Sequence, residues 1–209
     1  MMSDVIVYGV AASTYVRTVR LALEEKGVAY EHQPLVPQSD EMKALHPMGK
    51  VPAFRHGGRV IAESLAISTY IDEVFDGPPL RPAEPGPRAV MHEWISLYID
   101  DMYGPMGPGL VIQRLVVPAR GGTPDEAMIA KATPVVRGHL VMLNETLSEQ
   151  RWLAGEALSL ADLYFAPMVF YFHMIPERET LLDGLDGVGR CYDAIAGRDS
   201  FKATEPKFD

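Results

Sequence analysis

The chain has 209 residues, of which 47% are hydrophobic and 22% charged, and carries a formal net charge of −9. That length suits one large domain or two small ones, each with a full core. An acidic chain gains nothing from counterion release at phosphates, which argues against nucleic acid as a partner. The single cysteine, Cys191, excludes an internal disulfide framework and falls in an apolar helical stretch, where it reads as a small core residue. The six histidines are scattered, so no metal site is expected. No apolar run approaches the roughly 20 residues of a membrane span, and no basic, cleavable leader precedes the first strand pattern. The expectation is a cytoplasmic protein without a membrane partner.

Val5–Tyr8 is a short β-rich run. Val16, Val19, Ala22 and Leu23 then recur at helical spacing, and Gly27 stops that helix. Tyr30–Leu35 reads as a second strand and Asp40–Leu45 as a short helix halted before Pro47. Ala53–Arg55 and Val60–Ala62 flank His56-Gly57-Gly58-Arg59, where Gly-Gly marks a hairpin turn. Pro52 lacks a backbone donor, so it belongs at a strand start, an edge or a bend, and it tolerates a cis bond. Glu63 and Ser64 sit where the hairpin gives way to a helix carried by Leu65, Ile67, Tyr70, Ile71 and Val74. An edge strand beside Pro52 can grip an extended peptide main chain. A Glu-Ser pair at a helix start can hold a charged amino end, so the pattern points to a site for a small peptide.

Five prolines lie among the thirteen residues 75–87, too many for a continuing helix or a central strand. The resulting division is an α/β first domain at 1–76, a proline-rich linker at 77–87 and an all-helical domain at 88–209. In the helical part, Arg88–Tyr103 carries apolar residues at Met91, Ile95, Tyr98, Ile99 and Met102. Gly104-Pro105 and Gly107-Pro108-Gly109 are expected to kink or interrupt it, with Leu110–Val117 as a resumption. Asp125–Gln150 is a long amphipathic helix, with Pro134 and Gly138 as possible bends. Leu158–Ile175 is apolar all round, the mark of a buried central helix. Val188–Ala196 is the last clear helix. Ser159 and Asp162 form a Ser-x-x-Asp capping box, which is a folding signal.

Three segments carry a resemblance over the whole length. Ser13-Thr14-Tyr15-Val16-Arg17 precedes an apolar helix ending Glu24-Glu25-Lys26-Gly27. Pro47-Met48-Gly49-Lys50-Val51-Pro52-Ala53-Phe54 is followed by Ile61-Ala62-Glu63-Ser64-Leu65-Ala66-Ile67. Leu158-Ser159-Leu160-Ala161-Asp162 completes the set. In this order and spacing the chain resembles a glutathione transferase of the serine-type classes (theta-, phi- or bacterial-like): a thioredoxin-like domain followed by an all-helical one.

The resemblance implies a transferase with glutathione as co-substrate and a small hydrophobic electrophile as its second partner, acting in detoxification as a homodimer. A dehalogenase, a peroxidase, an isomerase or a non-catalytic glutathione-binding scaffold would use the same site. Ser13 matches the serine four residues before the helix arginine, here Arg17. Its hydroxyl would stabilise the glutathione thiolate, with Thr14, Tyr15 and Tyr8 as alternatives and a plain N-cap as the structural reading. Val51, held by Pro52, would pair with the cysteinyl main chain. Glu63 would meet the γ-glutamyl ammonium, Ser64 its carboxylate, and Lys50 and Gln38 other polar ends of the peptide. Tyr98, Met102, Tyr103 and Met106 would line the hydrophobic pocket, or pack in the core. Asp100 or Asp101 would reach a partner's glutathione site. No cysteine stands near the first helix, which excludes the class with a catalytic cysteine there. Ala12-Ser13-Thr14 differs from the Ser-Ser-Cys signature of the isomerase class.

Overall fold

The computed structural model describes residues 4–207. The chain divides into two compact units, one formed by residues up to Arg81 together with the segment from Gly197, the other by Pro82–Ala196.

In the first unit, β1 (Val5–Tyr8) is followed by α1 (Thr14–Glu25), β2 (Glu31–Gln33), α2 (Asp40–Leu45), β3 (Ala53–His56), β4 (Arg59–Ala62) and α3 (Ser64–Val74). The sheet order is β2-β1-β3-β4. β1 and β2 are parallel, and the other pairings are antiparallel. β2 is shorter than the run Tyr30–Leu35 implies, because Pro34 has no N–H to continue the ladder. α1 ends as the Lys26-Gly27 signal predicts. Gly27 N–H bonds Glu24 C=O and Val28 N–H bonds Leu23 C=O, with Gly27 at φ +68°, the paired bonds of a Schellman motif. Ile6, Tyr8, Met42 and Ala53 form a core cluster between the sheet and α2.

The C-terminal segment belongs to this unit, although 88–209 was expected to be helical domain throughout. Its helix packs on α1 and is tied there by arginines. Arg17 is 1% exposed, donates to Phe201 C=O at 3.0 Å and lies with its guanidinium 3.8 Å from the Phe201 ring. Arg20 donates to the carbonyls of Ala203 and Thr204, and Arg198 forms an ion pair with Glu25. Ser200 also donates to Glu25. Lys26 and Arg81 both pair with Asp72 at 2.9 Å, which fixes the end of the proline-rich stretch to α3.

The second unit begins earlier than Arg88. α4 (Pro85–Leu97) has prolines in its first turn, where a missing N–H costs nothing. The expected interruption at Gly104-Pro105 and Gly107-Pro108-Gly109 does not occur. The helix widens instead into π-helical turns at Tyr98–Met102 and Gly107–Val116, separated by α5 (Tyr103–Met106) and followed by α6 (Val117–Ala119). Tyr103 N–H bonds Tyr98 C=O and Val117 N–H bonds Ile112 C=O, each five residues back. This longer register carries the helix past prolines that cannot donate. α7 (Glu126–Glu149) runs through Pro134, and α8 (Leu160–Phe172) through Pro167. α9 (Arg178–Leu182), α10 (Asp186–Ala196) and α11 (Asp199–Ala203, in the first unit) complete the chain.

Every residue of α8 except Phe170 is buried, as an all-round apolar helix requires. Its start depends on Asp162, whose carboxylate accepts from the N–H groups of Leu153 and Ser159 and from the Ser159 hydroxyl, each at 2.8 Å. Burial pushes this carboxyl up to about 6 against those three bonds. Asp162→Ala leaves two buried N–H groups without an acceptor and should destabilise the protein by about 2–3 kcal/mol, read by thermal or denaturant unfolding. An unchanged unfolding midpoint would show that the box is dispensable.

Candidate active site

The sheet register brings the first unit's motif residues to one end. Tyr8 pairs with Ala53, and Ala53 with Ala62. Gly9, Pro52 and Glu63 therefore stand side by side, one residue beyond the ends of three neighbouring strands. Tyr8 also pairs with Gln33, so the loop carrying Gln38 leaves from the same end. α1 begins just after β1 and α3 just after β4, which places two helix N-termini here. Neither has an acidic residue in its first turn. The N-terminus of α1 favours an anionic group of a ligand, and at α3 the N-cap Glu63 sets a carboxylate beside the helix N–H groups, which suits a ligand end bearing both charges.

Gly9 is the residue on which this arrangement turns. Its φ is +134°, and a Cβ there would fall 2.6 Å from Val16 Cγ2 and 2.9 Å from Val51 Cβ. The first turn of α1 and the Val51-Pro52 segment thus approach each other across a position only glycine fits. Gly9 N–H bonds Gln33 C=O, and its own carbonyl accepts from His32 Nε2 at 2.8 Å. A carbonyl only accepts, so Nε2 carries the hydrogen. Burial holds the His32 ring below the usual histidine range, partly offset by the bond to Gly9. Nothing in the motif pattern singles out Gly9 or His32. A glycine directly after a strand is their one legible trace.

Ser13 is the N-cap of α1, its Oγ accepting from Val16 N–H at 3.4 Å. That long bond uses the oxygen as acceptor, whereas the O–H remains a donor, so capping and donation to an anion are compatible uses of one hydroxyl. Of the alternatives, Tyr8 is 4% exposed and belongs to the core cluster. Thr14 is buried, and Tyr15 is half-buried beside the cap.

The Val51-Pro52 peptide is cis, with Pro52 buried and Val51 half-exposed. Glu63 precedes α3 with φ +70°, a left-handed backbone that costs a non-glycine residue energy and that recurs at functional positions. Its carboxylate makes no capping bond and its side chain is 69% exposed, so it is available to a ligand. Ser64 is buried at the first position of the helix, and Lys50 is exposed.

Gln38, also at positive φ, donates its amide to the carbonyls of Met48 and Gly49. The side chain thus knits its own loop to the turn before Lys50, and its donors face the protein. In the second unit, Tyr98, Met102 and Met106 are at most 1% exposed. Tyr98 packs edge-on against Phe165 and Tyr164. These three are core residues and do not line an open pocket. Tyr103 alone of the four is half-exposed, and burial pushes its phenol up from the ordinary tyrosine range. Cys191 is buried and its thiol is also pushed up, in keeping with an inert core cysteine. Among the described residues no three histidine, cysteine, aspartate or glutamate side chains gather as a metal site, and no helix is long and apolar enough to cross a membrane.

A four-stranded mixed sheet with its helices, joined to a helical unit with one buried helix, is the architecture of the glutathione transferase fold. The family model for the glutathione S-transferase N-terminal domain matches residues 7–79, and that for the C-terminal domain matches 95–199. Glutathione S-transferase 3 of Zea mays is 30% identical, covering 97% of this chain and 94% of its own length. Glutathione S-transferase 1 of Triticum aestivum is 31% identical over 87% of this chain and 85% of its own. Among solved structures, a glutathione S-transferase I bound with lactoylglutathione superposes with a TM-score of 0.86. It is 26% identical, and the match covers 96% of this chain and 97% of that one. This chain belongs to the glutathione S-transferase family.

Proposed function

We propose that the chain is a glutathione transferase whose Ser13 hydroxyl donates to the glutathione thiolate, which then attacks a small hydrophobic electrophile. The observation that carries this reading is the alignment of Gly9, Pro52 and Glu63 at one sheet end, with two helix N-termini beside them. Free glutathione has a thiol pKa of about 8.5, so little thiolate exists at neutral pH. One hydrogen bond donated to the sulfur, with the N-terminus of α1 behind it, can lower that pKa by about two units, roughly 2.7 kcal/mol. The sulfur lone pair forms the new S–C bond, and the displaced group leaves with its electron pair; in an addition, the electrophile takes up a proton instead. The main chain of Val51 would pair with the cysteinyl residue, Glu63 would meet the ammonium, and Ser64 with the α3 N–H groups would meet the γ-glutamyl carboxylate. Lys50 would face another carboxylate of the peptide. Gln38 contributes by shaping the turn before Lys50. Turnover of an aryl halide, an organic peroxide and an isothiocyanate in one panel separates conjugating from reducing activity. Glutathione binding with no turnover on any of them would favour a scaffold.

Glu63 offers a test with two readouts. Glu63→Gly removes the carboxylate and relieves the positive φ. Glutathione affinity should fall on the order of ten- to a hundredfold, while folding stability holds or rises by about 1 kcal/mol. Ser64→Ala should weaken binding to a similar degree. Calorimetric affinities within twofold of the parent for both variants would place the amino end of the peptide elsewhere.

We also propose a homodimer. Its support is the family; Asp100 or Asp101, exposed on the first π-helical segment, would reach the partner's glutathione site. Sedimentation at micromolar concentration should give twice the chain mass of 23.0 kDa. A clean monomer would refute the dimer and the shared site with it.

A further inference from the structure

We infer that His46 is a positioning residue for Glu63: its ring sets the carboxylate that receives the peptide's ammonium. This inference rests on the assignment of Glu63 to the peptide's ammonium.

His46 is 2% exposed and ends α2. Its ring is held in one orientation by the turn that follows. Met48 N–H donates to His46 Nδ1 at 3.1 Å, so Nδ1 is an acceptor without a hydrogen and the neutral ring carries its hydrogen on Nε2. The turn is itself fixed, because Gly49 N–H bonds His46 C=O at 2.8 Å and the Gln38 amide bonds the Met48 and Gly49 carbonyls. His46 Nε2 lies 3.6 Å from Glu63 Oε1. That is within ion-pair range and just beyond hydrogen-bond length.

The two residues are complementary in charge and hydrogen bonding: the largely buried His46 side chain, 3% exposed, turns a ring N–H toward a carboxylate that can accept it. Glu63 stands on a left-handed backbone, makes no capping bond and exposes 69% of its side chain. A donor at one carboxylate oxygen restricts the rotamers of the side chain and leaves the other oxygen for the ammonium. Holding a long, exposed side chain in its binding geometry before the ligand arrives lowers the entropy cost of binding. The effect belongs to the ground state, so it should appear in glutathione affinity and KM and leave kcat nearly unchanged.

The two ring nitrogens can be tested apart. His46→Asn keeps an oxygen near the Nδ1 position for Met48 N–H but removes the donor to Glu63. His46→Gln keeps a donor near the Nε2 position and loses the bond to the turn. Both are measured by calorimetry with glutathione, alone and combined with Glu63→Ala, with thermal melts to confirm folding. His46→Asn should weaken binding by about three- to tenfold, His46→Gln by less than twofold, and His46→Asn should add nothing once Glu63 is Ala, which leaves no acceptor for Nε2. Parent-like binding by folded His46→Asn overturns the inference. So does equal loss in the Glu63→Ala background, or a loss in His46→Gln as large as in His46→Asn, since either would trace the effect to the turn. If Glu63→Ala alone binds glutathione as the parent does, the assignment of Glu63 fails, and this inference fails with it.

Discussion

Ser13→Ala should cut turnover at pH 6.5 by on the order of ten- to a hundredfold while glutathione affinity changes little. The asymmetry follows from what the hydroxyl touches. It donates to S⁻ far more strongly than to SH, so its loss penalises the anion and leaves the grip on the peptide's ends intact. Part of the loss should return at pH 9, where thiolate forms without help. The N-cap role predicts a second, smaller consequence. Losing the acceptor for Val16 N–H should cost about 1 kcal/mol of stability. The existing bond is long at 3.4 Å, so the cost should fall at the low end of the range for caps. A structural role alone would therefore show as a small drop in melting temperature with a pH profile like the parent's. Steady-state kinetics from pH 6 to 9 separate the two.

The largest effect on the fold should come from Gly9→Ala. A single added methyl group meets Val16 at 2.6 Å and Val51 at 2.9 Å, on a backbone at φ +134° that alanine adopts only under strain. Strain and overpacking together should cost about 3–5 kcal/mol, a fall in melting temperature of roughly 10 °C for a chain of this size. The atoms that must move are the first turn of α1, behind Ser13, and Val51. The surviving folded fraction should accordingly bind glutathione poorly. Gly58→Ala is the matched control. Gly58 lies in the β3–β4 turn with no heavy atom within 4 Å of a built Cβ and no positive φ, so the change should be nearly neutral. Equal stability of the two variants would show that the loop at Gly9 yields without disturbing the site.

The elements legible in the chain were those with local signals. Gly57-Gly58 forces a turn, Lys26-Gly27 closes a helix, and Ser159-x-x-Asp162 opens one; each acts within a few residues. The π-helical turns were not legible. Gly104-Pro105 and Pro108 read as breaks, and only the longer hydrogen-bond register, spread over several turns, carries the helix through. The C-terminal helix was hidden for a different reason. Arg17 finds Phe201 across 184 positions, and no periodicity reports so distant a partner. Tyr98, Met102 and Met106 illustrate a third limit: an apolar side chain on a helix reads alike whether it faces a core or a pocket. Gln38 and His46 illustrate a fourth. A polar residue in a loop announces hydrogen bonding, but whether its partner is a ligand or the protein's own turn depends on the fold.

The central claim is that Ser13 stabilises the thiolate, and the ultraviolet absorbance of thiolate in the glutathione complex, titrated with pH, tests it most directly. The titration is run on the parent and on Ser13→Ala, Thr14→Ala, Tyr15→Phe and Tyr8→Phe. The parent midpoint should lie about two units below that of free glutathione, and only Ser13→Ala should move it appreciably back. A parent-like titration for Ser13→Ala would contradict the claim. Together with a shift in one of the other variants it would transfer the role to that residue, and with no shift in any it would assign the stabilisation to the N–H groups at the start of α1.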